Sequence, residues 1–424
     1  MPRAKTGAAK AIERLVEELL GVPLPVGLRA WDGSRAGPAS GPQVVVRRRR
    51  ALRHLVWSPG ELGLARAFVL GDLAVEGDLT EALRRCWALA REHGVGIQRI
   101  SGWWGIAAGA ARLGAVGPRP PVPAAEARQR GALHSRARDR SAIAHHYDLG
   151  NEFYELLLDP AMAYSCGYFA TGTEDLAEAQ RAKSELICRK LGLRAGMRLL
   201  DVGCGWGSLL IHAARHHGVR ATGITLSRQQ RDHVRRRIEQ FGLRGSVEVR
   251  LQDYRELSDI PYDAVASVEM GEHVGAANYP AYTAALFRML RPTGRLLLQQ
   301  MSRGSTAPGG GAFIESYIAP DMAMVPMAGT ARHLQEAGFE VRDVEAMREH
   351  YVRTVAAWTR TLEERRGEVV RLLGEQGYRV WRLYLAGGML AFEENRMGVD
   401  QFLAVRPDTT GASGMPPVLR EALP

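Results

Sequence analysis

The chain has 424 residues, 46% of them hydrophobic, and its 56 Lys and Arg outnumber 46 Asp and Glu for a formal charge of +10. That length supports two or three domains with a sizeable core and no need of disulfide staples. The four cysteines, Cys86, Cys166, Cys188 and Cys204, form no close CxxC pair and no metal spacing with His, so a reduced, cytoplasmic setting and no metal site are expected.

Three partners fit the positive charge: nucleic acid, an anionic membrane surface, or nothing specific. The basic start, Met1 to Lys10, lacks the apolar run of a signal peptide. No apolar run approaches the roughly 18 residues of a bilayer span, and the best, Trp103 to Val116, is broken by Arg112. Any membrane contact is therefore expected from the surface.

Residues 1–115 read as one small α+β domain. Ala8 to Leu20 carries apolar residues at helical spacing (Ile12, Leu15, Val16, Leu19, Leu20) and stops at Gly21 and Pro23. Trp31 to Ser34 reads as a turn and Gln43 to Arg47 as a strand, with the run Arg47 to Arg50 extending it. As a strand, that run turns alternate arginines to one face, where lipid phosphates could be gripped. A short helix is predicted within Pro59 to Gly71 and a longer one over Glu81 to Glu92. Four prolines between Gly117 and Ala124 predict an extended linker over 116–140.

From 141 to 407 the pattern alternates. Strands are predicted at Arg198–Val202, Arg220–Thr225, Val247–Leu251, Ala264–Val268 and Gly294–Gln300, with helices such as Gly207–His216 and Arg228–Phe241 between them. Alternation of this kind implies a parallel sheet with helices on both faces. Residues 408–424 read as a loose tail.

The strand Leu199 to Val202 runs into Gly203-Cys204-Gly205-Trp206-Gly207 and then a helix. Glycines let the backbone turn sharply and approach a ligand. The run is G-x-G-x-G, unlike the dinucleotide pattern. Further strands end at Gly223 to Ser227, at Asp253-Tyr254, and at Glu269, Glu272 and His273. Ligands of open α/β sheets bind at such carboxyl ends.

These residues carry a resemblance. The glycine loop resembles motif I of the class I S-adenosylmethionine-dependent methyltransferases. The segments Tyr147 to Tyr154, Met162 to Phe169, Thr225-Leu226-Ser227 with Gln230, Glu272 to Gly275, His350-Tyr351, Trp358 and Tyr378 to Tyr384 are similar to the cyclopropane-fatty-acid synthase family, which includes mycolic acid methyltransferases. The segment Trp31 to Asp78 resembles the amino-terminal domain of the longer bacterial synthases. The resemblance implies a Rossmann-like, mostly parallel seven-stranded sheet with helices on both faces, and S-adenosylmethionine as methyl donor. It implies that Gly203 and Gly205 approach the methionine part, flanked by Tyr164 and Ser165, that Gln230 meets the ribose, and that Asp253 and Tyr254 lie near the adenine. Tyr147, Asp201 and Thr225 complete that set. Cys166, Glu272 and Tyr351 match positions lining the reaction centre, where the family holds a bicarbonate ion as base.

Two departures matter. Gln299 stands where the family usually carries a His that holds bicarbonate, which puts the ion in doubt. Glu269 stands where the family usually has Gly. The expectation is that Glu269 acts as the base or steadies the cation, against a solvated or salt-bridged Glu269. The implied substrate is the double bond of an unsaturated phospholipid acyl chain such as oleoyl, met at the inner membrane surface. The pair of changes favours a methylene-branched product, the precursor of a 10-methyl branch that a reductase would complete. A cyclopropane product, a small-molecule alkene substrate and a catalytically dead lipid binder are the rival readings. A homo-oligomer is compatible with the sequence. Nucleic acid is not expected, since zinc-knuckle, RNP-like and base-flipping motifs are absent. His145-His146 and His216-His217 have no Cys or carboxylate at ligand spacing along the chain and read as solvated or capping residues.

Overall fold

The structure, a computed structural model, describes residues 7–93, 109–127, 138, 150–258, 260–304 and 311–417. The chain divides into two compact units. The first comprises Met1–Glu126, Gly311–Tyr317 and Leu373–Leu390; the second comprises Ala127–Gly310, Ile318–Leu372 and Ala391–Pro424. This departs from the expected boundaries. Residues 116–126 of the proposed linker join the first unit, and two later segments return to it. Helical periodicity shows that a face is apolar but not which core it enters. The second return begins beside Gly374, whose φ of 72° breaks the helical run Arg366–Glu393.

The first unit is α+β. Helix α1 (Ala8–Leu20) packs Ala9 and Ile12 against Leu28, Val46, Ala51 and Ala67. Strands β1 (Gly27–Arg29), β2 (Arg35–Ala36), β3 (Gln43–Val46) and β4 (Leu73–Glu76) form a sheet in the order β2-β1-β3-β4. Helices α2 (Arg50–Trp57), α3 (Glu61–Val69) and α4 (Leu79–His93) belong to the same unit.

The four arginines do not extend β3. The ladder with β4 ends at Val46, paired with Leu73, and the chain turns so that Arg50 opens α2. The cause is Asp72, fully buried just before β4. Its carboxylate accepts from Arg50 Nε at 2.7 Å and Nη2 at 2.9 Å, with Arg48 Nη1 at 3.8 Å, and its carbonyl accepts from Arg47 N at 2.8 Å. A buried carboxylate needs such a partner, so Arg50 is committed to the fold and not to a lipid phosphate.

The second unit holds the seven-stranded sheet. Its strands are β5 (Arg198–Val202), β6 (Arg220–Thr225), β7 (Val247–Leu251), β8 (Tyr262–Val268), β9 (Leu290–Arg303), β10 (Glu340–Ala346) and β11 (Met397–Val405), in the order β10-β11-β9-β8-β5-β6-β7. Strands β5 to β9 pair in parallel, and β11 runs antiparallel to both neighbours. The helices used below are α5 (Asn151–Leu157), α6 (Leu176–Leu191), α7 (Ser208–His217), α8 (Arg228–Gln240), α9 (Tyr279–Arg288), α10 (Met327–Glu336) and α11 (Arg348–Glu364). Alternate residues of each strand enter opposite cores. Leu199, Ala264 and Ala266 join Leu210 of α7 and Val234 of α8; Leu200, Val202 and Val265 join Tyr282 and Leu286 of α9. The chain leaves β5 for β6 and β7 on one side and returns through β8 and β9 on the other. That switch opens a crevice at the carboxyl end of β5. Among the described residues, no helix is long and apolar enough to cross a membrane.

The Asp72 cluster gives a stability prediction. Replacing Asp72 with Ala removes the carboxylate that pairs Arg50 while keeping the backbone bond to Arg47, and should destabilise the first unit by about 2 kcal/mol, below a fully buried pair because Arg50 is partly exposed. Urea unfolding followed by hydrogen exchange should show faster exchange in residues 43–76 than in the seven-stranded sheet; uniform loss across both units would contradict it.

Candidate active site

The glycine turn after β5 is built as its sequence requires. Gly203, Gly205 and Gly207 have φ of 82°, 53° and 81°. These are left-handed values that side chains disfavour. A Cβ on Gly203 would lie 2.7 Å from Met270 Cγ, whereas one on Gly205 meets nothing within 4 Å. Gly203 N and Cys204 N both donate to Ile224 O at 3.0 Å, tying the turn to the end of β6. The result is a backbone cradle open toward a cavity.

That cavity is lined by Asp201, Gly203, Gly205, Thr225, Gln230, Asp253 and Tyr254, and also by Tyr164, Ser165, Lys183 and Glu269. All the cofactor residues expected from sequence therefore meet there except Tyr147, which lies outside the described residues. Thr225 Oγ1 donates to Gln230 Oε1 at 2.7 Å, and Ser227 caps α8 by accepting from Gln230 N at 3.3 Å. Asp253 faces the cavity, but its carboxylate is engaged by Arg255 through N and Nε at 2.9 Å and Nη2 at 2.7 Å. Tyr164 lies between aromatic neighbours, 5.2 Å from Trp358 and 5.5 Å from Tyr154 by ring centroid. These features fit a nucleoside-bearing sulfonium donor: a glycine cradle, a polar pair at the second strand end, and aromatic faces able to meet a cation.

Of the five residues expected at the reaction centre, Tyr351, Gln299 and Cys166 converge on Glu269, and Glu272 does not bond to it. Tyr351 OH donates to Glu269 Oε2 at 2.6 Å; Gln299 Nε2 and Cys166 N donate to its Oε1 at 2.7 and 2.8 Å. Among the described residues Glu269 is bridged to no arginine; it is partly buried and lines the cavity with its carboxylate held by these three donors. Its φ is 52°, a left-handed value in which glycine would rest without strain. Burial raises its pKa, while Tyr351, Cys166, Gln299 and Lys183 pull it back. Glu272 is different. Its Oε1 accepts from Met301 N, and its buried Oε2 has no partner. Burial and then the charge of Glu269 push its pKa up to about 8. Three donors serve the Glu269 carboxylate and one serves that of Glu272, which favours the charged form more at Glu269 than at Glu272. The Cys166 thiol is fully buried and pushed well up by that burial, so it shapes the site without being a nucleophile.

Three supporting residues escaped the sequence reading. Lys183, 2% exposed, donates to Ser165 Oγ at 2.7 Å. Gln401 Nε2 donates to Gln299 Oε1 at 2.8 Å, and Lys190 Nζ donates to Gln401 Oε1 at 3.0 Å. The available signal was positional: Gln180, Lys183 and Lys190 fall on the buried face of α6 with Ile187 and Leu191.

Comparison with known proteins agrees with this geometry. The family model "Mycolic acid cyclopropane synthetase" matches residues 134–402, more than half of the chain. A "probable fatty acid methyltransferase" of Pseudomonas putida is 37% identical over 417 residues, covering 96% of this chain and 98% of that protein. A second, of Mycobacterium tuberculosis, is 38% identical over 408 residues, covering 92% and 93%. The crystal structure of a mycolic acid cyclopropane synthase complexed with SAH and CTAB superposes with a TM-score of 0.60 at 31% identity, over 62% of this chain and 97% of that one.

The buried acids make stability depend on pH. Burial raises Glu272 from 4.5 to about 8 and Asp201 from 3.8 to about 7. Both hold protons when folded that the unfolded chain releases, so their contribution is complete below about pH 4 and is lost as pH rises toward 8. The urea midpoint of the second unit should fall between pH 5 and pH 8. Glu272→Gln should flatten much of that slope and leave the Asp201 part; an unchanged slope would refute the assignment.

Proposed function

The chain belongs to the mycolic acid cyclopropane synthetase family and is an S-adenosylmethionine-dependent methyltransferase, and from that premise we propose that it methylates the double bond of an unsaturated fatty-acyl chain carried on a phospholipid. The observation that carries the reading is the Glu269 carboxylate, held by Tyr351, Gln299 and the Cys166 amide on the wall of the cavity that the glycine turn opens into. The names of the relatives support an acyl substrate, and the largely apolar, aromatic lining of the cavity suits a cationic reaction that water would quench.

When bound, S-adenosylmethionine supplies an electrophilic methyl to the alkene, forming a carbon–carbon bond and leaving a carbocation on the acyl chain and a neutral thioether. Gly203 and Gly205 would hold its methionine part, Gln230 and Thr225 its ribose, and Asp253 and Tyr254 its adenine. Tyr164 and Ser165 would flank that methionine part, with Ser165 fixed by Lys183. Glu269 steadies the cation by its charge and takes one proton. A carboxylate has about four acceptor positions. Three are filled, which leaves one on Oε2 for that proton. Glu272 stays neutral beside it, so the site carries one negative charge and not two.

The donors that would hold a bicarbonate ion are spent on Glu269. We therefore assign the base to this side chain and derive no step through bicarbonate. Family membership supports closure of the new methyl to a cyclopropane. Glu269 in place of the ion supports the second product, in which a hydride shift precedes proton loss and an exocyclic methylene remains. A hydride-donating reductase would convert that alkene to a methyl branch.

The two products are isomers, so mass alone does not separate them. Incubation with oleoyl phospholipid vesicles and S-adenosylmethionine should yield methyl esters one CH2 heavier, and proton NMR should show either ring or exocyclic alkene signals. Glu269→Gln should lower turnover by about 10²-fold or more without loss of cofactor binding by calorimetry. Glu269→Gly should recover activity on adding bicarbonate. Full activity of the Gln variant would refute the role.

Membrane contact, with Arg50 committed elsewhere, falls to an apolar patch of the first unit. Val56, Trp57, Leu64 and Val116 are each about half exposed or more, and Trp57 Nε1 donates to Gly117 O at 3.1 Å. Indole rings favour such interfaces. Trp57→Ala should reduce sedimentation with anionic vesicles several-fold and leave cofactor affinity unchanged; equal sedimentation would remove the patch from consideration.

A further inference from the structure

The fold assembles donors that no stretch of sequence brings together. Glu185 and Cys188 lie three residues apart on α6, one turn of a helix, and so share a face. His212 and His217 come from α7, packed beside it in the same unit. One ligand atom each from Cys188, His212 and His217 lies within 4.8 Å of the others. The Glu185 Oε2 sits 3.1 Å from Nε2 of both histidines. Arg189 approaches the other oxygen, Oε1, at 3.8 Å. Cys188 is fully buried, and the two imidazoles are 12% and 17% exposed. The expectation that His217 has no Cys or carboxylate at ligand spacing holds along the chain and fails across the helix pair.

We propose that Cys188, His212, His217 and Glu185 bind a zinc ion. A thiolate with two imidazoles selects a borderline metal over magnesium or calcium, which take oxygen ligands. A thiolate and a carboxylate together neutralise the dication, which removes the usual cost of burying it. Bonds of about 2.0–2.3 Å in a tetrahedron place donors roughly 3.3–3.8 Å apart. Cys188, His212 and His217 already form a group within 4.8 Å, while Glu185 stands outside it, 3.1 Å from the two imidazoles, and completes the set only when its carboxylate turns toward the metal. On binding, the metal displaces the thiol proton to solvent, and no oxidant or reductant is needed. Four protein ligands leave no open position, which makes the site structural and not catalytic. Its consequence is local: it ties α6 to α7, and α7 begins at Ser208, directly after the glycine turn.

The test uses the full chain. After dialysis against a chelator, titration with cobalt(II) should give one equivalent of a tetrahedral spectrum with a thiolate-to-cobalt charge-transfer band, displaced by zinc. Zinc should also raise Tm in a concentration-dependent way. Cys188→Ser should abolish the charge-transfer band. His217→Gln, at the last turn of α7, should weaken zinc binding at least tenfold while cofactor binding by calorimetry shows that the unit is folded. No tetrahedral cobalt spectrum, or a charge-transfer band that persists in Cys188→Ser, would overturn the proposal.

Discussion

The second unit is organised around one requirement: a carboxylate buried at the end of β8 has to be satisfied. Glu269 receives a backbone amide from Cys166 after α5, a side-chain amide from β9 and a phenol from α11. Each donor comes from a different part of the chain, so the charge is stable only in the finished fold. The orientation of the Gln299 amide is itself imposed. Lys190 can only donate, so the Gln401 oxygen faces it and the Gln401 NH2 faces Gln299. The Gln299 NH2 is then left for Glu269. This chain exists because β11 is inserted antiparallel beside β9, in a register that sets Gln401 opposite Gln299. A lysine on α6 thereby fixes a hydrogen bond at the reaction centre that it does not touch.

The same requirement explains what surrounds the carboxylate. A non-glycine residue at a φ of 52° costs about 1 kcal/mol, and the structure retains it for the sake of the side chain. Two acids this close do not both ionise in a dry site. Glu272 accordingly keeps its proton to about pH 8 and an orphaned oxygen. Lys183 supplies a compensating positive charge on the far side of Ser165. Charge, strain and an unmet hydrogen bond collect where a reacting group belongs.

Legibility from the sequence followed the physics of each feature. β5, β6 and β7 were readable to the residue, because short apolar runs alternate with helical periods. β8 and β9 began earlier than expected, at Tyr262 and Leu290, since Asp263 and Arg291 to Arg295 interrupt the apolar pattern. The cofactor cavity was readable because strand ends gather ligands in any sheet of this type. The Arg47 to Arg50 run was not, because a buried Asp72 outweighed strand propensity. Nor were Lys183, Lys190 and Gln401, whose value lies in which atom faces which. The Glu185–Cys188–His212–His217 cluster depends on the packing of two helices, which spacing along one chain does not encode.

In the proposed reaction, both products lose a proton from the same carbon, the methyl just transferred. The position of the base cannot by itself choose between them. What differs is whether the hydride shift comes first, and that is a contest between the shift and proton removal. A carboxylate bearing three hydrogen bonds is a weaker base than a bare one. Gln299, Tyr351 and the Cys166 amide, by lowering the basicity of Glu269, lengthen the life of the cation and favour the shift. Burial acts the other way by raising its pKa. The balance between desolvation and those three donors, and not the identity of the base alone, is then the variable that sets the product.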